Sequence, residues 1–370
     1  MILSNDFQRQ WQDTESAVME SVRAIGAAGW YILGAEVREF EKELAARWGL
    51  THAVGVASGL DAIELGLRTL GCKAGDRVLT TPISAFASTL AILKLGAIPV
   101  FVDIDRYGLI NLQACRDVLS RRRDIRYFLP VHLYGHALDV QELAALRAQY
   151  GCYVLEDCAQ SIGASYAGRP TGTAGEMAAT SFYPTKNIGA LGDGGAVLTN
   201  SADHAARIRV LRDYGQSAKY RHTEIGYNSR LDELHAGIIR RAFLPRLSEW
   251  TGRRREIAAR YVSGILNNAI SVPGAPEHSE SCWHLFPVLI AEGRKTAFLE
   301  CAREAGVLCG EHYPIAIPRQ EAMRNARFEM ESDCGAAIRF CAQEVSLPIH
   351  PYLMDSEVDR VIEVCNEWRG

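Results

Sequence analysis

Between residue 50 and about residue 200, short apolar runs alternate with stretches of helical spacing, and this alternation limits the available folds most. Ala53–Val56, Arg77–Thr80, Pro99–Val102, Tyr127–Val131, Tyr153–Glu156, Ala179–Phe182 and Ala196–Thr199 have the length and bounding residues of strands. Between them, Leu60, Ile63, Leu67 and Leu70 recur on one helical face, and Asp139–Tyr150 repeats the pattern. Apolar strands separated by helices pack as a mostly parallel sheet, because each crossover helix covers one face. The fold class is α/β, and the seven runs predict a mostly parallel seven-stranded sheet flanked by helices.

Residues 231–265 read as a long helical stretch broken at Pro245, which lacks an N–H and crowds the preceding turn. Pro273, Gly274 and Pro276 then mark a loop before a second, smaller α/β region. The expected division is a large domain over 1–245, N-terminal arm included, and a small domain over 246–370. The triplets Arg121–Arg123 and Arg253–Arg255 read as solvated helix faces.

A chain of 370 residues, 48% hydrophobic and 23% charged, can bury a large core and is not disordered, collagen-like or coiled-coil. Its 40 basic and 44 acidic residues leave a net charge of −4, which argues against a nucleic-acid or membrane-surface partner. The first turns carry Asp6, Arg9, Asp13 and Glu15 without an apolar run, so no signal peptide is expected, and no apolar stretch has membrane-spanning length. Ten cysteines are scattered with no Cys-x-x-Cys pair, which favours reduced thiols and a cytoplasmic protein over a disulfide scaffold or zinc site.

Three segments can carry chemistry. In Val54–Asp61 a strand ends, Ser58 stands at an N-cap position and a helix follows; its free N–H groups suit a phosphate, though a plain capped helix has the same sequence. In Val154–Gln160 an apolar strand runs into Glu156 and Asp157, at the carboxyl edge where open α/β sheets bind ligands. An acid there needs a cation or donors, or it simply caps the next turn. In Ser181–Asn187 a strand leads into a turn holding Lys186, and Gly189, Gly192, Gly194 and Gly195 return the chain to the next strand. These glycines open no helix, so they fit neither a dinucleotide fingerprint nor a phosphate-binding loop. A cleft lysine can lose its proton near neutral pH and attack a carbonyl. Phosphate site, strand-end acid and lysine together are the set that pyridoxal phosphate requires.

The stretch Ser181–Asn200 (SFYPTKNIGALGDGGAVLTN) resembles the signature of the DegT/DnrJ/EryC1/StrS family of sugar aminotransferases, of the fold-type I class. Gly29–Gly34, Ala57–Leu65, Pro130–Gly135, Glu156–Gly163, Gly226–Glu233 and Ser346–Pro351 are similar to further family segments in family order. The resemblance implies a PLP-dependent transferase fold with a large cofactor-binding domain and a smaller C-terminal α/β domain. It implies that Lys186 links the cofactor and shuttles the proton, that Asp157 pairs with the ring nitrogen, and that Gln160 contacts the ring hydroxyl. Phe86 and Ala159 would flank the ring, and Ser58, Gly59 and Ser181 would hold the phosphate. Asn228 would reach the partner subunit's phosphate, so a homodimer with shared sites is implied. Tyr31, Tyr183, His312 and Tyr313 match positions near the sugar.

L-glutamate is the implied donor and a nucleotide-linked keto sugar the implied acceptor, the segments Gly29–Gly34 and Gly59–Asp61 leaning towards a dTDP-3-keto-6-deoxyhexose. After Pro314 the chain departs from the family pattern, reading Ile317-Pro318-Arg319-Gln320. A keto-cyclitol aminotransferase and a non-catalytic PLP or sugar-nucleotide sensor are the alternatives. The family's dehydratase branch replaces the lysine that is Lys186 here.

Overall fold

Each of the seven apolar runs forms a strand, and the seven lie side by side in one sheet. The computed structural model describes all of residues 1–370. The strands are β1 (His52–Val56), β2 (Arg77–Thr80), β3 (Ile98–Phe101), β4 (Ile125–Leu129), β5 (Tyr153–Asp157), β6 (Met177–Ser181) and β7 (Gly195–Thr199). Further strands of note are β8 (Ile270–Ser271), β9 (Phe286–Ile290), β10 (Glu329–Met330) and β11 (Glu344–Leu347); a few short hairpin strands stay unnumbered.

The central sheet runs β1-β7-β6-β5-β4-β2-β3-β10. All its neighbours are parallel except those of β7, which is antiparallel to both β1 and β6. The sheet thus has eight strands, which corrects the expected seven. The eighth, β10, is only two residues long, too short for an apolar period to reveal. Glu329 in it meets Arg77 at 2.9 Å and Arg122 at 2.8 Å, so charge pairing secures that edge.

The helices are α1 (Phe7–Ala28), α2 (Ala35–Trp48), α3 (Gly59–Thr69), α4 (Phe86–Lys94), α5 (Leu112–Arg121), α6 (Val140–Tyr150), α7 (Ala202–Arg212), α8 (Glu233–Ile238), α9 (Leu247–Gly264), α10 (Lys295–Glu304), α11 (Gly335–Gln343) and α12 (Asp355–Glu367). Local chemistry sets their ends. Asp139 caps α6 by accepting from the N–H groups of Gln141 and Glu142, and Gly151 closes it in the left-handed region. Between α8 and α9 the chain passes through a wide turn over Ile239–Phe243 and a tight one over Leu244–Arg246, the interruption expected at Pro245.

The central core includes Ile63, Leu65, Leu155 and Val197, all buried. A second core joins β8, β9 and β11 to α9, α10 and α12, and Ile2 belongs to it. Residues 2–5 lie along this C-terminal layer: Ile2 N–H donates to Gly306 O at 2.7 Å, and Leu308 N–H to Ile2 O at 2.9 Å.

Arg254 overturns the reading of its triplet as solvated. It is buried, and donates to Ile349 O at 2.6 Å and to Trp283 O at 3.3 Å. Unpaired carbonyls of two remote segments are what a buried guanidinium can satisfy. All ten cysteines are unpaired, eight of them buried. No helix is long and apolar enough to cross a membrane.

Candidate active site

The antiparallel β7 gathers the glycine return, the strand-end serine and the start of α3 at one edge of the sheet. Gly195 pairs with Val56 on one side and with Ser181 on the other. A Cβ on Gly195 would stand 2.4 Å from the carbonyl carbon and oxygen of Ser58, so only glycine allows α3 to begin so close to β7. A Cβ on Gly59 would meet Cβ of Ser181 at 2.7 Å. Ser58 Oγ accepts from Asp61 N–H at 3.1 Å. The N–H groups of Gly59 and Leu60 have no protein acceptor. Two orphan donors at a helix N-terminus, beside the Ser181 hydroxyl, form an anion cradle.

Ser229, in the Gly226–Glu233 segment, buttresses this cradle. Its hydroxyl donates to Asp61 Oδ2 at 2.7 Å and accepts from Ala57 N–H at 3.1 Å. The neighbouring Asn228 is exposed and its side chain makes no hydrogen bond within the chain.

Asp157 ends β5 and is buried. Its Oδ1 accepts from Ala159 N–H at 3.0 Å and its Oδ2 from the Ser88 hydroxyl at 2.7 Å. Ser88 lies on α4 two residues after Phe86, which heads that helix and packs half-buried on the core. Glu156, the other acid of the pair, points elsewhere. It accepts from His132 Nε2 at 2.9 Å and from the N–H groups of Gly172, Ala174 and Gly175. Burial pushes its pKa up, but His132 and the backbone donors outweigh this and hold the carboxyl below its usual range. His132, Glu156 and Cys158 lie within metal-ligating distance of one another, yet Glu156 is already fully engaged by protein donors.

Lys186 lines a cavity of about 330 Å³ together with Gln160, His284, His312, Tyr313 and Ser346. Burial lowers its pKa from 10.5 to about 8, against the opposing pull of the Asp157 charge. A neutral amine is therefore available near neutral pH. Gln160 Oε1 accepts from Tyr134 N–H at 2.7 Å, and its Nε2 donates to Tyr313 Oη at 3.1 Å. The amide is held between the Tyr134 backbone and the Tyr313 hydroxyl. Asn187 donates to Cys282 O at 3.0 Å and sits 3.1 Å from His284 Nδ1, which fastens the lysine turn to the C-terminal layer.

The structure brings Lys186, Gln160, His312 and Tyr313 into one cavity, and Ser58, Gly59 and Ser181 into one cradle. Tyr31 and Tyr183 are exposed, at 59% and 52%. Tyr31 O accepts from Glu233 N–H at 3.0 Å, and the Glu233 carboxylate accepts from the N–H groups of Gly34, Glu36 and Val37, capping α2. This ties the aromatic loop to the Gly226–Glu233 segment. Sequence reasoning missed Ser88 and His284, and it gave Asn187 and Ser346 no role beyond membership of family-like segments. A serine in a helix or an isolated histidine carries no local signal, and the contacts that matter come from remote parts of the chain.

These residues fit pyridoxal phosphate: orphan N–H groups for a phosphate, a buried carboxylate for a ring nitrogen, and a lysine with lowered pKa. Residues 12–366 match the model of the DegT/DnrJ/EryC1/StrS aminotransferase family. A dTDP-3-amino-3,6-dideoxy-alpha-D-galactopyranose transaminase of Aneurinibacillus thermoaerophilus is 40% identical over 98% of this chain and 96% of its own. The crystal structure of DesV of S. venezuelae in complex with a ketimine intermediate superposes with a TM-score of 0.94 at 37% identity, covering 99% of this chain and 98% of that one. NtdA of Bacillus subtilis, with bound cofactor PMP, superposes with a TM-score of 0.87 at 26% identity over 95% of this chain and 81% of that one. Motifs, fold and site chemistry agree, and the chain belongs to the DegT/DnrJ/EryC1/StrS aminotransferase family.

Proposed function

We propose that this protein transfers an amino group from L-glutamate to a nucleotide-linked keto sugar, with a dTDP-3-keto-6-deoxyhexose as the favoured acceptor. The product is an amino sugar for glycan or natural-product biosynthesis. One observation carries the reading: Lys186, its pKa lowered to about 8, shares the site with Asp157 and lines the cavity with His312 and Tyr313. The Aneurinibacillus relative, which acts at a 3-amino-dideoxy sugar carried on dTDP, supports the choice of acceptor.

Pyridoxal phosphate, when bound, supplies the electron sink that makes an amino acid's α-proton removable. The chain supplies the rest. The neutral Lys186 amine would take that proton and return it two atoms away, on the far side of the transferred nitrogen, acting as base and then as acid. Asp157, held by Ser88 and Ala159, keeps a negative charge where a protonated ring nitrogen needs one. Gly59, Ser58 and Ser181 would hold the phosphate, Phe86 and Ala159 would flank the ring, and Gln160 would meet its hydroxyl edge. Tyr183, His312 and Tyr313 face the sugar, with Tyr31 on the rim. Asn228, exposed and unpaired here, reaches the phosphate of a partner subunit, which makes the working unit a homodimer of chains divided at residues 245 and 246. The cytoplasm, where nucleotide sugars and glutamate are abundant, is the compartment this chemistry suits.

The test is the absorbance spectrum of PLP-loaded protein before and after L-glutamate. A visible cofactor band that bleaches with glutamate, and returns when dTDP-linked 3-keto sugars are added, is the expected result. A band untouched by glutamate would favour a binding protein, and return only with a keto-cyclitol would move the acceptor.

A further inference from the structure

Beside His312 lies a buried acid that the reaction as described does not use. Glu344 opens β11 and is fully buried. Its Oε2 accepts from the backbone N–H of His312 at 2.7 Å, and its Oε1 accepts from the Ser346 hydroxyl at 2.5 Å. Ser346 Oγ in turn lies 3.0 Å from His312 Nδ1. The segment is clamped on both sides. Gly310 and Ser346 exchange backbone hydrogen bonds of 2.9 and 2.8 Å, and the His312 carbonyl accepts from the Tyr134 hydroxyl.

The protons along this line can be counted. A serine hydroxyl has one hydrogen, and above about pH 7, where Glu344 is ionised although burial raises its pKa to about 7, Ser346 gives it to the carboxylate. Its contact with His312 Nδ1 must then be donated by the ring. Burial and the nearby Lys186 charge lower the His312 pKa to about 4, so the ring is neutral with its single proton on Nδ1. Nε2 is left with a lone pair. It has no protein partner, and the ring lines the cavity that holds Lys186.

We infer that Glu344 and Ser346 are positioning residues that lock His312 in its Nδ1–H form, so that Nε2 accepts a hydrogen bond from a hydroxyl of the keto-sugar acceptor. The inference rests on the reading of this cavity as the acceptor site. A site built this way prefers an acceptor with a hydroxyl at that position over its deoxy or O-methyl analogue, because the lone pair would otherwise be left unpaired.

Glu344→Gln tests the lock without removing bulk. The amide oxygen must stay on the His312 N–H, so the NH2 faces Ser346, and the serine hydrogen turns towards Nδ1. The variant is expected to reverse the His312 tautomer to Nε2–H. Nitrogen-15 NMR of histidine-labelled protein reads this directly, with His312→Asn assigning the signal, and needs no turnover. In kinetics, KM for the hydroxyl-bearing keto sugar should rise roughly tenfold, while bleaching of the cofactor band by glutamate proceeds. Ser346→Ala should raise KM similarly, and the double variant should be no worse than Ser346→Ala alone, since Glu344 acts on the ring through the serine. An unchanged tautomer in Glu344→Gln, or additive losses in the double variant, would overturn the lock. Wild-type protein that glutamate fails to bleach would instead strike at the aminotransferase reading, with the NMR result still standing on its own.

Discussion

Lys186 and Asp157 carry the residue-scale predictions. Lys186→Ala removes the only amine in the cavity and should abolish transfer together with the lysine-dependent visible band; turnover near wild type would remove the residue from its role. Asp157→Asn keeps the shape and deletes the charge proposed to face a ring nitrogen. In a buried site such a preorganised contact is worth about 10²-fold or more in kcat, and unchanged kinetics would assign the task to another group. Burial holds the Lys186 amine at about 8 instead of 10.5. Because the lowered value means the neutral form dominates above it, uptake of PLP by cofactor-free protein should accelerate as pH rises through about 8. Stopped-flow absorbance checks this, and a midpoint near 10.5 would mean the amine is solvated.

At the scale of elements, the cradle depends on how closely α3 starts beside β7. Gly195→Ala places a methyl 2.4 Å from the Ser58 carbonyl, where backbone on both sides must move. The expected result is tenfold or weaker retention of PLP on dialysis and a stability loss of about 1–3 kcal/mol, the usual cost of forcing atoms into a packed site. Wild-type retention would show that α3 can shift without disturbing its N-terminus. Sequence pattern located every strand of this edge, since apolar runs and N-caps such as Ser58 and Asp139 are decided by neighbouring residues. It did not locate β10, whose two residues join the sheet through the Arg77 and Arg122 ion pairs.

For the whole molecule, buried histidines predict acid sensitivity. Burial lowers His136 from 6.5 to about 3 and His350 to about 4, and His312 is held at about 4 as well. The unfolded chain binds protons near 6.5 and the folded chain does not, so stability is full above pH 6.5 and is lost as pH falls towards 4. His284 is likewise lowered by burial, while Glu344, raised to about 7, and Asp105, raised to about 6, act in the opposite sense, but two carboxyls offset only part of four rings. The urea midpoint should be clearly lower at pH 4.5 than at pH 7, by a free energy on the order of several kcal/mol. An equal or higher midpoint at pH 4.5 would mean that these rings are protonated in the fold.

The sequence by itself determined the α/β class, the seven strands of the central sheet, the break at Pro245, and the residues Ser58, Asp157, Lys186 and Gln160 as a chemical set. The fold features are announced by residues a few positions away, through backbone preference, capping or apolar period, and the chemical set by its resemblance to a family signature. Only the tertiary structure decided that Glu156 serves the fold while Asp157 faces the site, that Arg254 is buried among carbonyls, that Ser88 holds Asp157, and that Glu344 reaches His312 through Ser346. Those outcomes depend on which remote groups come within about 3 Å in a medium that screens charge poorly. Contacts of that range and strength are set by packing.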